Sequence, residues 1–282
     1  MAHPPGAQHS DDGELGDQMY ILDHPGWDSI DGTFIRAMRT EAGTWLIIGS
    51  GDRTLITGSG YAPPVDTYDP ATLDLAALPR GLGRALGALG LVRRWRNTDL
   101  WDAIATAIIR QVIRAGQAKK MHHAFRTAAG PHAAATTLIP APEKVLAMTP
   151  EQFADLGMAF KRRPLQAAAA AYLDHHDEWA QLPADVLVKA LQQVPHIGPW
   201  TAGAAVADHT GDYSLYPYAD LAVRTWARAA DPATAWPADE PGFATAWRHL
   251  ASVHLSTLTV LTLAWGDHHA RKPPISSGTQ PR

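Results

Sequence analysis

The chain has 282 residues, enough for one large or two modest domains and a sizeable core. Its 24 Lys plus Arg against 28 Asp plus Glu leave a net charge of −4, which argues against a protein that coats nucleic acid non-specifically but not against one that grips it through a local patch and backbone amides. Cysteine is absent, which excludes disulfides, thiol nucleophiles, thiolate-bound zinc and any cysteine-bound iron–sulfur cluster.

No apolar run approaches the ~20 residues of a membrane span, and the amino terminus lacks the charged-then-apolar order of a signal peptide. A soluble cytoplasmic protein without a membrane partner is expected. Residues 1–18 are polar, with Pro, Gly and acids, and read as a disordered tail. From Met19 to about Thr67 the runs TFIRAM, TWLIIGS and TLITGSGY are short and β-prone, with turn residues between them. They predict a small antiparallel sheet, so that residues 19–80 form an N-terminal β-rich domain closed by a link from Asp69 to Pro79.

After Arg80 the pattern is helical nearly to the end. A helical region over 81–270 and a loose C-terminal tail over 271–282 follow, and the fold class is mainly α with a small N-terminal antiparallel β domain. Arg84, Arg93, Arg94 and Arg96 gather around Trp95 and read as a solvated helix face. The next helix opens at Asn97 or Asp99, carries Leu100, Ile104, Ile108 and Ile109 at helical spacing, and runs into Arg110-Gln111-Val112-Ile113. The Ala-rich run from Leu165 to Tyr172 is helical by propensity. His122-His123, His175-His176 and His268-His269 are adjacent pairs, and helix neighbours point about 100° apart, so no metal site is assigned to them.

The helical part is organised around Leu187 to Gly203, LVKALQQVPHIGPWTAG. An apolar helical run through Leu187 and Leu191 is cut by Val194-Pro195-His196-Ile197-Gly198, and a second helix starts at once with Pro199 in its first turn. Backbone N–H groups of such a turn, through Thr201, lack intrahelical partners, and the helix dipole backs them as phosphate ligands. An ordinary αα-hairpin with a Pro-Gly turn is the alternative on this stretch alone.

These residues resemble the helix-hairpin-helix of the HhH-GPD DNA glycosylase superfamily, whose hairpin usually reads Leu-Pro-Gly-hydrophobic-Gly. Val194, Pro195, Ile197 and Gly198 match, while His196 replaces the first Gly. The stretch from Asp102 to Lys120, with Ala-Ile and Gln111-Val112 in order, is similar to the 3-methyladenine DNA glycosylase II (AlkA-like) branch. So is Leu156-Gly157-Met158 with Lys161-Arg162. The resemblance implies that Gln111 and Val112 form an intercalating wedge that fills the space of an extruded nucleotide; a core contact for Val112 is the alternative.

Asp220 follows Tyr216-Pro217-Tyr218-Ala219 and opens the run Leu221 to Trp226, about twenty residues after the hairpin. Cleavage of a base from deoxyribose develops oxocarbenium character, which a carboxylate beside the anomeric carbon stabilises. The superfamily places its catalytic Asp at this spacing and at a helix start, although an Asp there is also an ordinary N-cap. Members that also cut the backbone carry a Lys two residues after the second hairpin Gly; here that residue is Trp200. The resemblance therefore implies a monofunctional glycosylase acting on double-stranded DNA, without AP-lyase activity.

The base pocket implied by the resemblance contains Trp200, Ala204, Ser256 and Tyr218, with Ala204 and Ser256 standing where the branch has aromatic rings. Two missing rings imply a larger and more polar pocket, and the sequence also looks like the bacterial antiphage glycosylases that excise glucosylated hydroxymethylcytosine. His196, His249, His254, Tyr216 and Tyr218 are further polar candidates. Excision of alkylated purines, and a non-catalytic DNA-binding module in which Asp220 only caps a helix, are the competing readings. No cofactor is required; the resemblance implies a possible monovalent cation on the hairpin carbonyls. A monomer is expected.

Overall fold

A computed structural model of the chain describes residues 19–50, 53–58 and 60–271. The expected disordered tail over 1–18 and residues 272–282 of the expected C-terminal tail lie outside them. The strands β1 (Met19–Tyr20), β2 (Asp28–Ile30), β3 (Thr33–Thr40), β4 (Gly43–Ser50), β5 (Arg53–Thr57) and β6 (Val65–Tyr68) come first. β2 to β5 form an antiparallel sheet in chain order, the β3/β4 register pairing Met38 with Trp45.

Helix α1 (Arg80–Gly87) then leads to a seventh strand, β7 (Val92–Trp95), rather than to a continuous helix. β7 lies between β1 and β6, parallel to the first and antiparallel to the second. The helical reading of the basic cluster is thereby corrected. Alternation along β7 turns Arg94 inward, where it is 3% exposed and its Nη2 donates to Asp208 Oδ1 at 2.5 Å. Arg96 pairs with Asp66. Arg94 thus meets a carboxylate inside the fold, and Arg96 meets one at its partly exposed margin.

Helices α2 (Leu100–Arg110), α3 (Ala115–Ala129), α4 (Pro142–Ala147), α5 (Pro150–Asp155), α6 (Arg162–Trp179), α7 (Ala184–Leu191) and α8 (Pro199–Thr210) follow. The two-residue strands β8 (His132–Ala133) and β9 (Thr136–Thr137) form a small hairpin after α3. The chain closes with α9 (Leu221–Ala230), α10 (Glu240–Ala251) and α11 (Leu255–Arg271). Among the described residues no helix is long and apolar enough to cross a membrane.

α2 is the central helix, buried at nine of its eleven residues and packed against α3, α6 and α8. Its start is fixed by Asp99, whose side chain accepts the Asp102 N–H at 3.2 Å. Between the sheets and these helices lies a buried polar layer. Asp208 of α8 takes Arg94 and the Asn97 side chain, the latter at 2.9 Å, and Asp102 of α2 faces Arg36 of β3 at 3.5 Å. Arg126 of α3 joins Asp28 of β2 at 2.8 Å and the Thr137 carbonyl at 2.5 Å. Each cation meets a carboxylate, as burial of charge demands.

Candidate functional site

The turn between α7 and α8 is pinned from inside by Val194 and Ile197, 6% and 5% exposed, with the Ile197 N–H donating to the Val194 carbonyl at 3.1 Å. His196, exposed at the tip, takes φ +72°, in the left-handed region that favours Gly. His is among the side chains enriched there, so the turn forms without a Gly. Gly198 is extended at φ −88° and caps α8 without a side-chain bond, which leaves first-turn amides of α8 at the exposed end of the helix.

Gln111 and Val112 come to the same edge. The Gln111 side-chain amide donates to the His196 carbonyl at 3.2 Å and to Thr201 Oγ1 at 2.5 Å, tying the end of α2 to the hairpin. Val112 is fully exposed, at 102% of its reference area, and its φ is +60°. A β-branched residue in that region is a true outlier. Val112 is therefore not a core contact between helices.

α8 also receives the segment that carries Asp220. A Cβ at Gly203 would stand 2.6 Å from the Leu215 carbonyl, so only Gly lets residues 215–217 lie against the helix. Asp220, half-buried, then caps α9 and is held from three sides. Trp200 Nε1 donates to Oδ1 at 3.1 Å, the Tyr216 hydroxyl to Oδ2 at 3.2 Å, and the Ala222 N–H to Oδ2 at 3.4 Å. Burial pushes the Tyr216 hydroxyl up; the charge of Arg110 opposes and that of Asp220 adds. Tyr216 accordingly stays protonated and acts as a donor.

The expected pocket residues separate. Trp200 and Tyr218 are half-buried, the second with the Arg248 guanidinium 6.0 Å from its ring centre. Ala204 is buried within α8 at 6% exposure. The Ser256 hydroxyl accepts the Tyr213 N–H at 2.9 Å, and Tyr213 stacks on Tyr216 with ring centres 5.6 Å apart. Ser256 thus supports the ring pair behind Asp220. Pro195 is exposed beside His196.

Three residues gain a place here that the sequence reading did not assign. Tyr216, read as a generic polar contact, is a direct carboxylate partner. Lys161, noted only within the Leu-Gly-Met, Lys-Arg segment that resembles the AlkA-like branch, is 2% exposed and sends its ammonium to the carbonyls of Ile108 and Gln111 at 2.7 and 2.8 Å. Arg110, half-buried at the end of α2, lies within electrostatic reach of Tyr216. Among the described residues no group of three or more His, Asp or Glu side chains could hold a metal ion. Of the hairpin carbonyls, those of Val194, His196 and Gly198 already accept the Ile197 N–H, the Gln111 side-chain amide and the Ala202 N–H.

No protein-family model matches the sequence, and no curated protein matches it. Solved structures do match. The DNA complex of MBOgg1 with a low-affinity ligand superposes with a TM-score of 0.63 at 16% identity, covering 89% of this chain and 90% of that one. The Clostridium acetobutylicum 8-oxoguanine glycosylase/lyase, bound to double-stranded DNA with cytosine opposite 8-oxoguanine, gives 0.60 at 14% identity and 89% coverage of each chain. The 3-methyladenine DNA-glycosylase of Archaeoglobus fulgidus gives 0.63 at 16% identity, covering 86% of this chain and 90% of that one. The chain has the fold of these helix-hairpin-helix DNA glycosylases.

Proposed function

We propose that this protein is a DNA glycosylase that turns a modified base out of double-stranded DNA and hydrolyses its N-glycosidic bond, leaving an abasic site. The observation that carries the reading is Asp220: a carboxylate fixed by Trp200, Tyr216 and a helix N-terminus, on the same α8 scaffold as the hairpin and the exposed wedge. The hairpin amides grip a phosphate, Val112 enters the stack, and the target nucleotide leaves it. As the C1′–N bond breaks, its electrons pass to the base; the Asp220 charge stabilises the cationic sugar, and water adds at C1′ and releases a proton to solvent, from which the departing base takes one up.

The nucleophile is water. Trp200 has no amine to form a Schiff base, and Lys161 is buried behind the wedge with its ammonium on two carbonyls. The enzyme is therefore monofunctional, with no lyase step. A monovalent cation, if bound, would be held by carbonyls of the 194–198 turn and would supply positive charge beside the phosphate.

The substrate is a bulky neutral base such as glucosylated hydroxymethylcytosine, as carried by phage DNA, and the role is antiphage defence. The absence of aromatic rings at Ala204 and Ser256 supports a bulky, polar base over a small methylated one. Trp200 and Tyr218 favour the second reading, repair of alkylated purines, because aromatic faces attract cationic bases.

Mass spectrometry of bases released from methylated duplex and from glucosylated phage DNA, each with an Asp220→Asn control, decides. Release of the glucosylated base alone is expected. Release of methylated purines alone establishes the repair reading, and silence on both, with DNA binding retained, leaves a binding module.

A further inference from the structure

Val112 raises a structural problem. A left-handed Val is strained, and a side chain exposed on all sides recovers none of that strain by packing. Something behind the residue must hold its backbone.

Lys161 occupies that place. It ends the short helical turn Ala159–Lys161 that precedes α6, and its side chain reaches the last turn of α2. There it meets two carbonyls, those of Ile108 and Gln111, at 2.7 and 2.8 Å. The Gln111 carbonyl shares a rigid peptide plane with the Val112 nitrogen. Anchoring that oxygen fixes the peptide plane from which the Val112 backbone departs, and so sets where the left-handed turn at Val112 begins. The positive charge also complements the C-terminal dipole of α2. In front of the same peptide, the Gln111 side chain is bonded to the His196 carbonyl and Thr201 Oγ1.

We infer that Lys161 is a positioning residue for the wedge: with Gln111 it braces Val112 in its strained conformation at a set distance from the hairpin. The inference rests on Val112 acting as the wedge. It assigns Lys161 to insertion of the wedge and not to grip on the duplex, because its ammonium is spent inside the fold. Phe160, 56% exposed, lies beside the brace with its ring centre 5.2 Å from the ammonium.

The test uses the full-length protein and a duplex with one tetrahydrofuran abasic site flanked by 2-aminopurine. Wedge entry unstacks the flanking base and raises its fluorescence, while affinity is read separately by anisotropy on the same duplex. Lys161→Met is expected to abolish most of a rise of about threefold or more, with affinity kept within about twofold. Lys161→Arg, which keeps charged donors, restores part of the rise, and Lys161→Gln serves if the Met variant does not fold. In a Val112→Ala background, Lys161→Met adds no further loss, because the brace then has no wedge to hold.

A normal rise in Val112→Ala removes the wedge reading itself. A loss in Val112→Ala alongside a normal rise in Lys161→Met and Lys161→Gln overturns the brace. Parallel loss of affinity and fluorescence in the Lys161 variants overturns it as well, since Lys161 would then serve binding in general.

Discussion

Two polar regions flank α8 and use their charges in opposite ways. On the side facing the sheets, Arg36, Arg94, Asp102 and Asp208 turn inward and pair across elements far apart in the chain. On the other side, His196, Val112 and the Asp220 carboxylate lie at the exposed or half-exposed edge, two of them at positive φ. The inner layer is organised to be stable, and the edge carries strain and open valences. Residue type alone does not separate them: Arg94 and Asp220 would both pass for DNA-binding or catalytic candidates.

Substitution of the inner layer should therefore cost folding, and substitution of the edge should cost chemistry. Arg94→Met strands the Asp208 carboxylate and is expected to lower stability by about 3–5 kcal/mol in urea unfolding, the largest effect of all. Asp220→Asn sharpens the contrast from the other side. Asn is as good an N-cap as Asp, so stability should hold while base release falls by about 10²–10³-fold and DNA affinity is kept or improved. An Asp220→Asn variant that unfolds earlier yet still releases base would erase the distinction between the two regions.

The edge was legible in the sequence and the inner layer was not, for a physical reason. Pro195, Gly198 and Pro199 punctuate the chain locally, and Asp220 announces a helix start through a neighbour two residues on. β7, by contrast, exists only because Met19 to Tyr20 and Val65 to Tyr68 pair with it, and Arg94 is buried only because Asp208 comes to meet it. Those partners are set by topology. Lys161 was hidden in the same way: its segment showed a resemblance, but its burial depends on the end of α2 coming to meet it. Ser256 was legible as a missing ring, but its bond to the Tyr213 amide depends on how α11 packs.

The inner layer also predicts a pH response. His24 and His122 are held neutral, first by burial and then by arginines around them, Arg36 acting on both, with Arg94 on His24 and Arg126 on His122. The unfolded chain binds protons at these sites near pH 6.5 and the folded chain does not, so stability falls as pH drops below that value. Asp102, pushed up to about 6 by burial, takes a proton in the folded state first and offsets part of the loss. From pH 7.5 to 5.5 the net loss is expected to be about 2 kcal/mol. Urea unfolding at the two pH values checks it, and His24→Gln should roughly halve the imidazole contribution.

The smallest effect separates the two strained residues of the edge from each other. Gly at either position relieves the left-handed backbone but loosens the unfolded chain, so the net gain in stability is under about 1 kcal/mol, or roughly 1–3 °C. His196→Gly and Val112→Gly should share that gain, because both side chains are exposed and neither packs on the core. Their activities should part. At position 196 a smaller residue lets a phosphate approach the turn more closely, and duplex affinity should rise by up to about threefold. At position 112 the same change removes the side chain that enters the stack, and base release should fall by about tenfold with affinity little changed. Thermal unfolding, anisotropy and base release on the two variants read the three quantities separately. Equal losses of base release in both would mean that strain itself, and not the Val112 side chain, is what the edge contributes.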